Sequence, residues 1–424
     1  MKSGDLMTRR VFCTMLAVML ISTQHAFSQR KDVYIPEDLR SMDLTSDTSR
    51  WSFQRSMETP DLIFFWEKGF GQDLNNPPLR EGKPMAFRLD NLRYRVQHFY
   101  HFFRDTLGWR NPSSKADRYK MMVMVNYSLD GTAYGGAYDN FIGALWVAPN
   151  RIQDEKMNCL AHELGHSFQA QIMADSVGDC WGGTGFFEMA SQWMLWQVNP
   201  DWLTDENYHF EAFKKLTHKA FLHMENIYHS PYVIQWWSDL HGRKSIAELF
   251  RQGRIGEDPV ITYKRMYGLN QEAFCDEMFR GYQHLVDFDF QHARRETRQY
   301  ACTFDTELQD DGKGWLSPKD VPEGYGFNAI LLDDRVNLNA TTFKVKIKGR
   351  NLRYGFVGVT SDDECLYGDI NGNTLHIPAN KRLAHLYLMV MGAPERHGDV
   401  FAGSPENPED FTYRQFPYAF KILR

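Results

Sequence analysis

Five consecutive residues constrain the fold of this chain more than any other stretch: His162-Glu163-Leu164-Gly165-His166. Histidines four positions apart lie one turn apart on an α-helix, about 6 Å along its axis, so both imidazoles project from one face toward a common point. An apolar stripe at helical spacing covers the opposite face: Met157, Leu160, Leu164 and Phe168. The sequence therefore predicts a helix that packs on one side and presents two histidines to a cleft.

The predicted start of this helix lies at Asn150, which together with Gln153 has the spacing of a capping box after Pro149. Asp154 and Glu155 would then place negative charge at the positive end of the helix dipole. We therefore expect the helix to begin in this segment and to continue through both histidines.

The two histidines and Glu163 have the pattern of a zinc site that activates water. Neutral imidazoles bind zinc, and a catalytic zinc usually has three protein ligands and one open position. Glu163 is rotated about 100° from His162 on the helix, which lets its carboxylate reach a metal-bound water rather than the metal. Zinc lowers the pKa of such a water toward about 7, so Glu163 is predicted to act as general base and then as proton donor.

The predicted third ligand is Glu188, which follows the glycine-rich turn at 182–185 and begins an apolar helix. A carboxylate in such surroundings is unfavourable unless it is paired or bound to a metal. The 21 residues between His166 and Glu188 are enough for the first helix to end and for a second helix to return across it. The sequence therefore predicts a Zn²⁺ site made by His162, His166 and Glu188.

These motifs resemble those of the gluzincins, the clan of zinc metallopeptidases that includes thermolysin and the membrane-alanyl aminopeptidases. The resemblance rests on His162-Glu163-x-x-His166 followed by Glu188, and it implies hydrolysis of peptide bonds. It also implies an antiparallel edge strand before the zinc helix, which residues 143–148 fit and where an extended substrate pairs with the sheet. The spacing to Glu188 is slightly longer than in thermolysin-like enzymes. Gln192 stands where some members have an acid that orients a ligand histidine.

A hydrolase of this type also needs a group that stabilises the charge developing on the substrate carbonyl oxygen. In the clan, a Tyr or His from a downstream helix does this. Tyr232, Tyr228 and His229 are the candidates here, because they lie just before or at the start of the helix that contains Trp236; His223 is a weaker one. Each of them also fits a second interpretation, in which it only packs the helical part of the chain.

The first residues are predicted to form an export signal. Two arginines precede an apolar run over residues 11–21, and Ala26 and Ser28 place small side chains at the −3 and −1 positions of a cleavage site. The run is short for a bilayer core of about 30 Å, so a membrane anchor is the less favoured interpretation. We therefore expect an exported protein (periplasmic, cell-surface or secreted) with no membrane span once residues 1–28 are removed.

Composition excludes other classes of protein. Hydrophobic residues make up 43% of the 424-residue chain, which is enough for a sizeable core. The net charge of −6 and the lack of a long basic run argue against a nucleic-acid-binding protein. The cysteines have neither the spacing of a disulfide framework nor that of a zinc knuckle, and Cys159 with Cys180 is the candidate pair.

The hydrophobic pattern changes along the chain. Residues 29–304 mix short buried strands, at 62–66 and 121–125, with many helices. They predict an α+β domain, zincin-like by its resemblance, with a small sheet, the zinc helix and a helical lobe. Residues 305–322 are polar, contain Gly and Pro, and predict a linker. Residues 323–424 have alternating and apolar strand patterns and predict an all-β sandwich as a second, accessory domain.

Together these features predict an exported zinc metallopeptidase whose substrate is a peptide, protein or glycoprotein, with a glycan contact through the β-sandwich. The whole mature chain also looks similar to a family of exported bacterial proteins of unassigned function. Two alternatives stay open. One is a catalytically inactive or weakly active protein- or glycan-binding protein that uses the β-sandwich, with the zinc domain as scaffold. The other is a zinc hydrolase of a non-peptide amide. An intact Glu163 favours the hydrolase interpretations.

Overall fold

The computed structural model describes five stretches of the chain: residues 30–178, 181, 185–291, 297–398 and 413–423. The predicted export signal, residues 1–28, lies outside them, as do Cys180 and most of the glycine-rich turn before Glu188. The described chain is mixed α+β and contains three sheets, and its α+β part precedes a β-rich part.

Five strands from the first half of the chain form one sheet: β1 (Ser56–Glu58), β2 (Leu62–Trp66), β3 (Met121–Val125), β4 (Ala133–Tyr138) and β5 (Ile142–Val147). Their order is β1-β2-β3-β5-β4; β2, β3 and β5 run parallel, and β1 and β4 run antiparallel to their neighbours. Strands β2 and β3 are almost fully buried, which accounts for their uninterrupted apolar sequences. The strands predicted at 62–66 and 121–125 are confirmed.

The edge strand is β4, and the prediction that residues 143–148 form the edge is wrong. That segment coincides with β5, which lies between β3 and β4 and pairs with both. A tight hairpin is responsible: Asp139 and Asn140 adopt positive φ values of 52° and 47° and turn the chain from β4 straight into β5. Strand β5 is buried because both of its edges are paired, whereas β4 is partly exposed.

Ten α-helices occur in the described residues: α1 (Leu89–His101), α2 (Lys115–Arg118), α3 (Asn158–Ala174), α4 (Phe186–Val198), α5 (Trp202–Asp205), α6 (Tyr208–Leu216), α7 (Tyr232–His241), α8 (Ser245–Gln252), α9 (Pro259–Tyr267) and α10 (Gln271–Leu285). Helix α1 continues into a π-helical turn, Phe102–Thr106. None of these ten helices combines the length and the hydropathy that crossing a membrane requires.

The helix with the two histidines is α3, and it begins at Asn158, eight residues later than predicted. Asn150 lies in a separate short turn, Pro149–Arg151, so the predicted capping box is wrong. Met157 precedes the helix in the left-handed conformation (φ 53°, ψ 47°), and the carboxylate of Asp154 accepts a hydrogen bond from its N–H at 2.5 Å. This local turn determines where the helix begins.

Helix α3 packs against β4 and β5 on one side and against α4 on another. Its predicted apolar stripe is buried: Met157, Leu160, Leu164 and Phe168. The helix comes so close to the edge strand that a Cβ atom on Gly135 would lie 1.7 Å from the carbonyl oxygen of Glu163. A glycine at position 135 is therefore what allows helix α3 to lie directly beneath the edge of the sheet.

Nine strands make up the β-rich part: β6 (Leu308–Asp310), β7 (Leu316–Pro318), β8 (Phe327–Leu331), β9 (Thr342–Gly349), β10 (Leu352–Thr360), β11 (Cys365–Tyr367), β12 (Thr374–His376), β13 (Leu383–Gly392) and β14 (Tyr418–Leu423). They form a four-stranded sheet, β11-β10-β13-β8, and a five-stranded sheet, β12-β9-β14-β7-β6. Residues 305–322 are not a free linker, since they supply the β6–β7 hairpin to the second of these sheets.

The two sheets of the β-rich part share one apolar cluster, which includes Phe356 and Leu388 from the four-stranded sheet and Phe343 and Phe420 from the other. They therefore pack face to face as a sandwich.

The four-stranded sheet is buried on its other face as well. Val357 and Tyr387 belong to the same apolar core as the helices, and the ring of Tyr282 from α10 stacks on Phe327 of β8 at 4.2 Å. Burial on both faces accounts for the continuous apolar sequences of β10 and β13. Strand β9 alternates between buried and less buried residues because one of its faces is solvated.

Candidate metal centre

The three predicted ligands converge on one point. His162 Nε2 lies 3.0 Å from both Glu188 Oε2 and His166 Nε2, and His166 Nε2 lies 3.1 Å from the same carboxylate oxygen. The histidines come from successive turns of α3, and Glu188 comes from the first turn of α4, which packs against α3. Within the described residues, this is the one group of three or more His, Cys, Asp or Glu with the geometry to hold a metal ion.

The hydrogen bonds of the two imidazoles show which nitrogen faces this point. His162 Nδ1 lies 2.9 Å from Gln192 Oε1, and His166 Nδ1 lies 2.9 Å from Gln169 Oε1. An amide oxygen only accepts hydrogen bonds, so each Nδ1 carries a proton, and it is Nε2 of each ring that points inward to the shared point. Two lone pairs and a carboxylate oxygen 3.0–3.1 Å apart repel one another unless a proton or a cation lies among them.

A second partner fixes the orientation of each glutamine amide. Gln192 Nε2 donates to the carbonyl oxygen of Tyr228 at 2.8 Å, and Gln169 Nε2 donates to that of Phe187 at 3.0 Å. Because an amide nitrogen only donates, the oxygen of each amide has to face its histidine. Gln192, at the position where some gluzincins have an acid, thus still orients His162, but as a neutral group.

Charge pairing acts among the three converging groups. Burial alone would raise the pKa of Glu188, but hydrogen bonds from the two imidazoles outweigh it and hold this pKa far below its ordinary value. Burial alone would lower the pKa of His166, and the carboxylate of Glu188 outweighs it, so this pKa is raised. Both shifts show that the centre attracts positive charge.

Glu163 lies between the centre and the edge strand. Its Oε2 accepts a hydrogen bond of 2.8 Å from the N–H of Gly135. Gly135 is in register with Leu145 of β5, yet its N–H points to Glu163, so this backbone group faces the open edge of the sheet. The backbone groups of Ala133 and Ala137 face the same edge, because direction alternates along a strand. Apart from the Gly135 N–H, which Glu163 occupies, these outward backbone groups of β4 make no hydrogen bond to the residues that the structure describes.

A cleft of about 470 Å³ contains the centre and Glu163. Strand β4 forms one wall, and α3 with the start of α4 forms the other, where Met173 and Phe187 add apolar surface. This volume is within the range of about 300–1,000 Å³ that is typical of ligand sites. The cleft is therefore large enough for several residues of an extended substrate.

Of the three predicted oxyanion-stabilising residues, Tyr228 lines the cleft. Its ring centroid lies 6.1 Å from that of His162. Burial and the nearby carboxylate of Glu188 raise the pKa of Tyr228 to about 12, so its hydroxyl stays protonated at neutral pH. Tyr232 lies elsewhere: it is fully buried, with its ring against Phe213, and does not reach the cleft.

His229 lies behind the metal centre rather than in the cleft. Its Nδ1 is 2.7 Å from Nδ1 of His209, and His209 Nε2 is 3.3 Å from the amide nitrogen of Gln192. Burial, with a smaller effect of His209, lowers the pKa of His229 to about 4. His229 is thus neutral at pH 7, and His209 supports Gln192 from behind. His223, the weaker candidate, contacts Tyr413 with its ring.

Sequence analysis did not identify Gly135, Gln169 or the supporting role of His209. The Gly135-Gly136 pair carried a usable signal, since glycines inside a strand often mark a close approach of backbone. Gln169 and His209 carried none, because their roles depend on contacts between separate helices. Cys159, one turn before Glu163, is a free thiol, and its predicted partner Cys180 lies outside the described residues.

Comparison with known proteins adds one match. A family described as "Family of unknown function (DUF6055)" matches residues 25–423, which is nearly the whole chain. No curated protein matches the chain.

Proposed function

The chain belongs to the DUF6055 family, and we propose that it is an exported zinc-dependent metallopeptidase of the gluzincin type. The observation that carries this proposal is the convergence of two imidazole Nε2 atoms and one carboxylate oxygen at 3.0–3.1 Å from one another. This donor set fits Zn²⁺, which catalytic sites hold through three such ligands with a fourth position left open. His162, His166 and Glu188 would hold the ion.

When bound, the zinc supplies Lewis acidity, which polarises the substrate carbonyl and lowers the pKa of water. Glu163 takes the proton of the attacking water on its carboxylate and then delivers it to the leaving amide nitrogen. The N–H of Gly135 holds that carboxylate beside the edge strand at 2.8 Å. Tyr228 donates its hydroxyl proton in a hydrogen bond to the oxygen on which negative charge develops.

The open edge of β4 supports an extended peptide as the substrate. Backbone groups at residues 133, 135 and 137 face the cleft and have the spacing that pairs with another strand. A substrate paired there passes directly over Glu163, because Gly135 already contacts that carboxylate. Recognition through the backbone fits a peptide better than a small non-peptide amide.

The proposal is tested first by metal content and then by cleavage. We expect one zinc per chain in purified residues 29–424 and in its Glu163→Gln variant, measured by elemental analysis after exhaustive dialysis. Glu188→Ala should lower zinc affinity by at least tenfold, since it removes one of three ligands. Failure of the wild-type chain to bind zinc after reconstitution would contradict the proposal.

A mixture of quenched fluorogenic peptides then tests hydrolysis. We expect the zinc-loaded wild type to cleave peptides, and Glu163→Gln, with equal zinc content, to be at least a thousandfold slower because it has no base. Zinc bound without cleavage of any peptide would favour the binding-protein alternative.

A further inference from the structure

A second concavity adjoins the metal cleft on the other face of the sheet. Tyr134 of β4 lines both, and this concavity, which we call the recess, has a volume of about 640 Å³ against about 470 Å³ for the cleft. The recess is much larger than one amino-acid side chain needs. A site of this volume suits a separate bulky group of the substrate.

The wall of the recess nearest the cleft is aromatic. The side chain of Tyr134 is 60% exposed, and its ring lies 5.7 Å from that of Trp146 at an interplanar angle of 38°. The indole N–H of Trp146 donates to the hydroxyl of Tyr138 at 3.1 Å, which fixes the plane of the indole. The two rings offer an aromatic surface on which the apolar face of a ligand can stack.

The remaining walls are polar, and their charges balance. Arg50 donates twice to Oε1 of Glu67, at 3.0 and 2.5 Å, which leaves Oε2 as an acceptor. Asp130 accepts through Oδ1 from the backbone and hydroxyl of Thr132, at 2.9 and 2.7 Å. Arg80 supplies the second positive charge. Two cations and two anions give no net charge to attract a charged ligand.

The recess also contains a neutral hydrogen-bonding group. The side-chain amide of Asn126 lines it and makes no hydrogen bond to the part of the chain that the structure describes. This amide provides one acceptor and two donors in a fixed plane. The recess therefore combines an aromatic surface with free acceptors and donors, and a purely apolar side chain would leave these polar groups unpaired.

We propose that the recess binds a neutral sugar ring carried by the peptide substrate. A pyranose has an apolar face that stacks on an aromatic ring and hydroxyl groups around its rim that both donate and accept hydrogen bonds. Its lack of charge matches the balanced ion pairs. The proposal rests on the proposed peptidase function and narrows the substrate to a glycosylated peptide.

The geometry of β4 connects the recess to the scissile bond. Side chains alternate along a strand, so Gly135 faces helix α3 while Tyr134 and Gly136 face the opposite side of the sheet, on which Tyr134 lines the recess. The Tyr134 ring extends over Gly136, where a Cβ atom would lie 3.0 Å from it. A substrate strand added to β4 alternates in the same way, and its residues beside Gly136 direct their side chains to the recess. A sugar attached to such a side chain reaches the Tyr134 ring.

Sugar binding is tested without turnover in the Glu163→Gln variant of the mature chain. The probes are the methyl glycosides of galactose, mannose, N-acetylgalactosamine and N-acetylglucosamine, and the readout is the indole ¹H–¹⁵N signal of Trp146, assigned with Trp146→Phe. We expect at least one glycoside to shift this signal in a saturable manner. Tyr134→Ala should weaken that binding at least tenfold, whereas Tyr94→Ala, an equally exposed tyrosine on α1, should not change it.

Other outcomes overturn the proposal or separate it from the peptidase function. The recess is not a sugar site if none of the four glycosides shifts the signal, or if N-acetylphenylalanine amide binds more tightly than all of them. Peptide cleavage by the wild type without glycoside binding contradicts the sugar proposal and leaves the peptidase function standing. Glycoside binding to a chain that cleaves neither plain peptides nor the same peptides carrying the bound sugar contradicts the peptidase function and leaves the recess as a sugar site.

Discussion

Gln192 holds two parts of the candidate site with one side chain. Its oxygen accepts from His162, and its nitrogen donates to the backbone of Tyr228, so the amide connects a metal ligand to the residue that would face the oxyanion. A carboxylate in the same place would also accept from His162, but it would add a negative charge and could not donate to the carbonyl oxygen of Tyr228. The neutral amide would therefore leave a zinc ion bound at the proposed site with a larger share of its positive charge.

Substitutions at Gln192 separate orientation from charge. We expect Gln192→Ala to weaken zinc binding by about 10–100-fold, because His162 loses the group that fixes its tautomer. Gln192→Glu should keep zinc and move the acidic limb of the peptidase pH profile upward, since added negative charge raises the pKa of the activated water. Competition with a chromophoric chelator and pH–rate profiles measure both effects. Gln197→Ala, a buried glutamine further along α4, is the control.

Tyr228 is predicted to act through its hydroxyl alone. Tyr228→Phe should lower kcat by about 10²–10³-fold with little change in KM or zinc content, because the hydrogen bond to the oxyanion is made mainly in the transition state. Tyr232→Phe is the matched control, since the buried Tyr232 hydroxyl has no hydrogen-bond partner among the described residues. An equal loss in both variants would remove Tyr228 from the mechanism.

The sequence predicts those features of the candidate site that depend on the spacing of residues along one helix. The two histidines are four residues apart on one helix, so their convergence follows from helix geometry, and the apolar surroundings of Glu188 indicate a carboxylate with a partner. Local spacing does not predict which hydroxyl, that of Tyr228 or that of Tyr232, reaches the cleft. One lies in a loop and the other begins α7, and only the packing of that helix determines which hydroxyl reaches the cleft.

The contact between β4 and α3 has a direct test at element scale. Gly135→Ala places a Cβ atom against the backbone of Glu163, and neither backbone can yield without separating strand from helix. We expect a stability loss of about 1–3 kcal/mol and a loss of peptidase activity with zinc retained. Gly136→Ala is the control, because its Cβ meets only the flexible ring of Tyr134. Urea denaturation and kcat/KM measure the two effects.

Asp61, the residue before β2, forms ion pairs with two separate parts of the chain. This carboxylate is buried and pairs with Lys31 at 2.7 Å and with Arg104, in the turn after α1, at 3.1 Å. Burial opposes ionisation, but the hydrogen bonds from Lys31 and His101 outweigh it and lower the pKa of Asp61 below its ordinary 3.8. The ionised carboxylate therefore stabilises the fold at every pH above the ordinary value. That contribution is lost as the pH falls through the lowered one.

Asp61→Asn should lower the free energy of unfolding at pH 7 by about 1–3 kcal/mol, because Lys31 and Arg104 lose the negative charge that pairs with them. The difference from wild type should shrink as the pH falls below 3.8, where the wild-type carboxylate also begins to take up its proton. Urea denaturation at several pH values measures it. Asp90→Asn, whose side chain is 95% exposed, should change stability little at any pH.

The sequence predicts the helices and strands themselves more reliably than it predicts which of them lie side by side. The apolar segments at 62–66 and 121–125 are the strands expected, and the stripe on α3 is buried as expected. The wrong edge strand and the wrong helix start have a common cause. Both depend on residues with positive φ outside glycine, Asp139, Asn140 and Met157, which the hydrophobic pattern does not reveal.

The whole molecule has one continuous core across the predicted domain boundary. Because β10 and β13 pack against the helices as well as against the second sheet, the β-rich part cannot be removed without exposing that core. We expect a chain ending at residue 304 to be insoluble or molten, and residues 305–424 alone to expose the apolar face around Val357. Near-ultraviolet circular dichroism and dye binding of both fragments measure this, with residues 29–424 as control. A cooperative unfolding transition in either fragment contradicts the prediction.

The doubly buried sheet restricts how such a chain can change over evolutionary time. An accessory domain that is joined by a linker can be exchanged between proteins by recombination, because its loss leaves the core of the remaining domain intact. Here a recombination event that replaced the β-rich part would also have to supply a new wall for α10, at matching shape, in the same step. The packing therefore favours inheritance of the two parts as a single unit, and added residues disturb it least in the outer hairpins, away from the shared wall.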